Sequence, residues 1–302
     1  MADTAVLARV LQPADWRARA EAHRDRADAL TAGHRDRAGR GEPHPVWDFL
    51  FTYYSLRPRR LRVWHPGYGT VLAGSQAHDY LDRTGYVPTP DGVTAGSDYL
   101  RSRRSTVDFI AGLLRSTSGR NPQFGCFALH EWAMVYRAGD RRHTAVPLRL
   151  GAGGTDAVVE SAPLRCTHFD AYRFFTAPAA PRNQRRLTRA GQRDSEQPGC
   201  LHANMDLYKW CYKLGPLVES TLLIDCLELA FDARELDMRA SPYDLREYGF
   251  DPITVEEPAG RAEYTRRQTA IADRAVPLRA ALLHRCEWLL DRINALSARE
   301  EQ

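Results

Sequence analysis

The longest helical pattern in the chain runs from Pro258 to Ala298, where Ile271, Leu278, Leu282, Leu289 and Ile293 recur as an apolar stripe. Apolar residues returning at three- and four-residue steps mark a helix with one buried face. A second window of this kind spans Leu217 to Met238. A third spans Ser97 to Ser116, with Tyr99, Val107, Ile110, Leu113 and Leu114 inward. Such lengths of helix leave little chain for strands. The expected fold is therefore mainly α, about nine helices in a single globular domain over 1-302. A break or bend is expected near Pro277, which lacks the N–H that a helix interior uses. Phe124 to Tyr136 reads as a further, more apolar helix. Val146 to Leu150 and Ala157 to Thr167 read as strands, and Gly151 to Gly154 as the turn between them. That predicts a small antiparallel β-hairpin or sheet inserted among the helices. Between Val71 and Pro90 the signals are weak and loop-like.

Apolar residues make up 43% of the chain, which is ample for a core and excludes wholesale disorder. No apolar run approaches the ~18 residues of a membrane span, and no basic-then-apolar leader opens the sequence. A cytoplasmic protein without a membrane partner is expected. Cysteines 126, 166, 200, 211, 226 and 286 are scattered with no Cys-x-x-Cys pair. That pattern suits reduced thiols, with no disulfide-linked partner. A net charge of +4 permits an anionic partner without demanding one.

The 42 basic residues include only two lysines, Lys209 and Lys213, both within Cys200 to Gly215. A chain that uses Arg elsewhere keeps an amine where deprotonation matters, because a guanidinium effectively never loses its proton. Read as a helix, this stretch places His202, Asp206, Lys209 and Lys213 on one face, with Gly215-Pro216 as the stop. A solvated helix face with ordinary ion pairing is the competing structural reading. His130 and Glu131 interrupt an apolar run and need partners if buried. Together, Asp206, His202, Lys209, His130 and Glu131 are the candidate catalytic residues, and His130, Glu131, His202 and Asp206 are expected to line a common pocket. In a metal-dependent alternative, His130, His168, His202 and Asp170 are the candidate ligands, since imidazoles and a carboxylate hold zinc or iron with open positions. Otherwise no cofactor is expected.

Cationic and aromatic residues suggest a second set of contacts. Residues 1-42 read as a charged helical arm, in which His23-Arg-Asp-Arg-Ala27 returns as His34-Arg-Asp-Arg-Ala38. Trp47, Tyr53 and Tyr54 precede Arg57, Arg59 and Arg60. Rings beside a basic patch stack bases and hold phosphates, or form core beside a solvated rim. Trp210 joins the stacking candidates. The loop 176-199 carries Arg185, Arg186 and Arg189 directly upstream of the lysine helix, and with Lys213 these are the candidate phosphate contacts. In Leu217 to Met238, Asp225, Glu228, Asp232 and Glu235 form one stripe, so cations are expected opposite.

Four phrases carry a resemblance: His44-Pro-Val-Trp-Asp-Phe-Leu-Phe-Thr-Tyr-Tyr-Ser-Leu-Arg-Pro58, Trp64-His-Pro-Gly67, Phe124 to Tyr136, and Gln197-Pro-Gly-Cys-Leu-His-Ala-Asn-Met-Asp-Leu-Tyr-Lys-Trp210. Over nearly its whole length the chain resembles a group of high-GC actinobacterial proteins commonly labelled 3-methyladenine DNA glycosylase. The helix-hairpin-helix signature of other glycosylases is not found in the sequence, so no catalytic position carries over from them. The resemblance implies a DNA-repair N-glycosylase that excises alkylated purines, with DNA as its partner. Such chemistry needs a carboxylate beside an oxocarbenium-like sugar, rings for a cationic base, and cations for the backbone. Lys209 or Lys213 acting as a Schiff-base nucleophile is one route to it. A metal-dependent enzyme acting on a small molecule and a non-catalytic nucleic-acid-binding protein are the other two readings.

Overall fold

A computed structural model describes residues 9–139 and 146–300. The fold is mainly α. Twelve α-helical segments occur among the described residues, more than the nine expected, because several are single turns. In chain order these are α1 (Pro13–Gly39), α2 (Phe49–Thr52), α3 (Pro58–Leu61), α4 (Ser97–Ser102), α5 (Arg104–Ser118) and α6 (Leu129–Ala133). Then follow α7 (Gly151–Ser161), α8 (Phe169–Tyr172), α9 (Gln192–Ser195), α10 (Leu201–Leu214), α11 (Ser220–Arg239) and α12 (Pro258–Glu300).

The core is a packing of α5, α10, α11 and α12. Val107, Ile110, Leu113 and Leu114 of α5 are buried as expected, while Tyr99 of α4 is only partly covered. Helix α12 is continuous through Pro277, so of the expected break or bend the break does not occur. The acidic stripe of α11 meets its cations. Arg26 of α1 holds Asp225 and Glu228 at 2.7 Å each, Arg274 holds Asp232 at 2.6 Å, and Arg239 holds Glu235 at 3.2 Å. These half-exposed pairs contribute ~0–1 kcal/mol each, and those of Arg26 serve mainly to orient α1 on α11. The α1 helix also buries Trp16, His23, Ala27 and Thr31. Both His23 and His34 find partners, His23 on the Leu61 carbonyl and His34 on Asp48.

The β-structure lies elsewhere than the sequence suggests. Gly151 to Ser161 is helix, correcting the predicted hairpin at 146 to 167. Val158 and Val159 pack into the core, Thr155 bonds the Gly151 carbonyl, and Glu160 meets Arg137. Tertiary packing overrides the strand preference of the two valines. The sheet instead comprises β1 (Arg9–Leu11), β2 (Thr70–Leu72), β3 (Tyr86–Thr89) and β4 (Gly92–Ala95), in the order β1-β2-β4-β3. β1 and β2 are parallel and the other pairs antiparallel, so the sheet is mixed. Strands of three or four residues are too short to show a two-residue period, which is why the segment reads as loop. Leu11, Trp16, Trp64, Leu72, Tyr80, Tyr86 and Val93 form a separate core beside the sheet.

Gly92 has φ +141°, and a Cβ there would sit 2.0 Å from the Leu72 carbonyl oxygen. Gly92→Ala should lower stability by about 2 kcal/mol or more through strain and clash, read as a shift in the urea midpoint. A pH prediction follows from two histidines near the sheet. Burial, then Arg83, pushes His65 down to about 4, and burial likewise lowers His23. Their unfolded forms, near 6.5, take up protons first. The stabilising contribution is therefore complete above pH 6.5 and is lost as pH falls from there through about 4. His65→Asn should flatten that part of the stability curve.

Candidate active site

Helix α10 is buried around almost its whole circumference, although it carries His202, Asn204, Asp206 and Lys209. A helix buried on all sides must satisfy its polar residues from neighbouring elements. Those neighbours set the site. Arg279 of α12 donates to Asn204. Arg234 and Asp237 come from α11, and His130 and Glu131 from α6. His168 caps α8, which bears Asp170, and Glu196 follows α9. Apart from the α12 contact at Asn204, all of these charged and imidazole groups converge with those of α10, and each is exposed by 9% or less. The solvated-face reading of the lysine helix is thereby corrected, except at the exposed Lys213.

The cluster has two halves joined at His202. In the first, the His130 and His202 rings lie 4.5 Å apart, nearly perpendicular. His130 Nε2 is 2.9 Å from Asp237 Oδ1, and His202 Nε2 is 3.9 Å from Asp237 Oδ2. Arg234 Nη1 donates to Asp237 Oδ2 at 3.2 Å and lies 3.8 Å from Glu131. In the second half, the His168 ring stacks on His202 at 5.4 Å. His168 approaches Asp206 at 3.6 Å and Glu196 at 3.2 Å. Lys209 Nζ donates to Asp206 Oδ2 at 2.5 Å and Asp170 Oδ2 at 3.0 Å. The Tyr54 hydroxyl donates to Asp206 Oδ1 at 3.0 Å.

Burial and charge act against each other here. Burial pushes the Lys209 pKa down, but Asp206 and Asp170 outweigh it and raise it. The two carboxylates beside Lys209 favour its ammonium form. Burial lowers His130 and His168, yet Asp237 and Glu196 respectively bring both above the usual histidine value. His202 goes the other way. Its burial dominates, Asp237 offsets this only partly, and the neighbouring imidazoles push it further down. The middle ring is neutral between two that favour the proton.

Two cavities meet at this cluster. The inner pocket, of about 180 Å³, is walled by Phe49, Tyr53, Tyr54 and Phe174, with Glu131, His168, Asp170, His202, Asp206 and Arg234 as polar groups. The outer cleft, of about 550 Å³, carries Arg173, Arg189, Lys209 and Lys213 among Tyr53, Phe109, Trp210 and Tyr212. Tyr53 and Asp170 line both and form the junction. Of the four residues expected to share a pocket, Glu131, His202 and Asp206 line the inner one, whereas His130 does not line it and packs against His202.

Other expected site residues lie apart from these cavities. Trp47 packs on Phe231 and Phe250 and lines neither cavity. Arg57, Arg59 and Arg60 on and before α3 are exposed away from both, as are Arg185 and Arg186. Of the basic loop, Arg189 reaches the cleft and holds Asp170 at 3.1 Å. The proposed ligand set is also redistributed. Ligand atoms of His130, Glu131, His202 and Asp237 lie within 4.8 Å of one another, and those of His168, Glu196 and Asp206 form a second group without Asp170.

Sequence reasoning missed Asp237, Arg234 and Glu196. A signal for the first two was present, since Arg234 and Asp237 lie off the acidic stripe, among the buried Ala230, Ala233 and Leu236 of α11. The expected long helix over 124 to 136 shortens to α6 because Phe127 and Ala128 adopt φ of +48° and +55°. Gln197 clamps the preceding chain through the Gln123 backbone, at 2.8 and 3.1 Å. Strained backbone of this kind, at ~1–3 kcal/mol per residue, persists where surrounding structure holds it, and here it aims His130 and Glu131.

Removing one member of this buried network leaves its partner uncompensated. Arg234→Met should cost roughly 3–5 kcal/mol in equilibrium unfolding, far more than any pair on the α11 stripe. Compared with known proteins, the chain matches no family model, no curated protein and no solved structure.

Proposed function

We propose that the chain is a hydrolase that excises alkylated purine bases from DNA. The observation that carries this reading is the connected pair of cavities. An aromatic pocket with a buried carboxylate opens, past Tyr53 and Asp170, onto a cationic cleft. The inner volume of about 180 Å³ lies below the ~300–1,000 Å³ of drug-sized ligand sites and suits a single flipped base. The resemblance to proteins labelled 3-methyladenine DNA glycosylase points the same way.

In this reading the base enters among Phe49, Tyr53 and Phe174, whose ring faces attract a cationic heterocycle. Arg173, Arg189 and Lys213 hold the flanking phosphates. Asp206 faces the sugar. As the N-glycosidic bond breaks, the bonding electrons leave with the base, neutralising its charge, and the carboxylate stabilises the oxocarbenium-like sugar. Water then bonds the anomeric carbon and gives up its proton to Asp206. Lys209 and Tyr54 are positioning residues that hold the two oxygens of Asp206. The ammonium form favoured at Lys209 supports direct hydrolysis over a Schiff base. The grouping of His130, Glu131, His202 and Asp237 favours a second reading, a metal-dependent enzyme acting on a small molecule.

The test is release of 3-methyladenine from methylated duplex DNA. Asp206→Asn should slow release by about 10²-fold with the fold retained. Replacing Arg173, Arg189 and Lys213 with Ala should weaken DNA binding and flatten its salt dependence. Borohydride should trap no covalent adduct. DNA binding without release by the unaltered chain would contradict the reading.

A further inference from the structure

We infer that His130, Glu131, His202 and Asp237 form a binding site for one divalent first-row transition ion of the zinc or iron(II) class. The site does not depend on the excision reading.

Its first support is geometric. One ligand atom from each of the four residues lies within 4.8 Å of the others, and all four residues are buried. Within this group, His130 Nε2 and Asp237 Oδ1 are only 2.9 Å apart, yet neither takes part in an aligned hydrogen bond. Two donors each ~2.0–2.2 Å from one ion are about 3 Å apart at right angles about it and about 3.4 Å apart at the tetrahedral angle. The pair matches the first spacing without the alignment of a hydrogen bond. Both side chains are more than nine-tenths buried, so water cannot compensate them.

The surroundings supply the orienting contacts that ligands require. His130 Nδ1 contacts Cys126 Sγ at 3.3 Å, which turns Nε2 inward. Arg234 takes Asp237 Oδ2 and leaves Oδ1 to face the imidazole. Contacts of this kind fix ring tautomer and carboxylate orientation around a metal. The second group, His168, Glu196 and Asp206, is a poorer candidate. There the ammonium of Lys209 already sits 2.5 Å from Asp206 Oδ2.

In the half of the cluster around His130, two carboxylates, Glu131 and Asp237, face one guanidinium, Arg234. Two imidazole donors select zinc or iron(II) over magnesium or calcium, which take oxygen ligands. Glu131 and His202 also line the inner pocket, so the ion would sit at its wall.

The experiment uses the full chain, stripped with a chelator and dialysed against micromolar zinc or, anaerobically, iron(II), with bound metal counted by mass spectrometry. One equivalent per chain is expected, together with a raised Tm. Asp237→Asn and His202→Gln, each confirmed folded by circular dichroism, should lower affinity more than tenfold. His168→Gln should leave the stoichiometry unchanged. Cobalt(II) should give visible absorption bands that His202→Gln removes. Failure of both zinc and iron(II) to bind stoichiometrically would overturn the site, as would binding indifferent to both ligand variants or lost in His168→Gln. Because no activity is read, these outcomes stand apart from the excision assay.

Discussion

Charge buried on a helix with almost no solvent face is the constraint from which the rest of the structure follows. Helix α10 carries an ammonium, a carboxylate and an imidazole into the core between α11 and α12. Isolated charges at such depth would cost many kcal/mol, so each must meet an opposite charge or donor from another element. The Lys209 contacts to Asp206 and Asp170 tie α10 to α8, and Arg234 with Asp237 ties α11 to α6 through His130. The short, irregular elements between the long helices make sense on this view. The strained turn at Phe127 and Ala128 and the Gln197 clamp deliver side chains to partners that the long helices cannot reach.

The same network couples fold to chemistry. Its inner side is an aromatic pocket lined by acid and imidazole groups, and its outer side is a cleft lined by cations. The two meet at Asp170, which lines both and is held from the cleft side by Lys209 and Arg189. An anion arriving in the cleft meets Arg173, Arg189 and Lys213 first, while a neutral or cationic ring fits the acidic interior. In the proposed reading, that polarity, basic outside and acidic within, receives phosphate and base in different places.

Much of this was legible in the residues, and the illegible parts have physical reasons. The long helices announced themselves because their apolar period is sustained over many turns. The two lysines marked α10 correctly as the centre. For Lys209, the free-amine role weighed from sequence meets two carboxylates that favour the ammonium, a feature only the fold shows. Asp206, His202, His130 and Glu131 were found because each interrupts an apolar run. Asp237 was missed although it breaks the same rule, being overshadowed by the regular acidic stripe on the other face of α11. Arg57, Arg59, Arg60 and Trp47 show the opposite error, where a basic and aromatic neighbourhood in sequence lines neither cavity. The short strands at 70–72 and 86–95 left no periodic trace, and Val158-Val159 gave a strand signal that packing overruled.

Having only two lysines makes the central claim directly measurable. Lysine labelled with nitrogen-15 would give two side-chain signals by NMR, with Lys209→Arg assigning one of them. A Lys209 held between Asp206 and Asp170 should remain an ammonium above its ordinary value of 10.5, with slowed proton exchange. Loss of that proton below pH 10.5 would show that the two carboxylates do not hold it, and would contradict the charge network on which fold and site both rest.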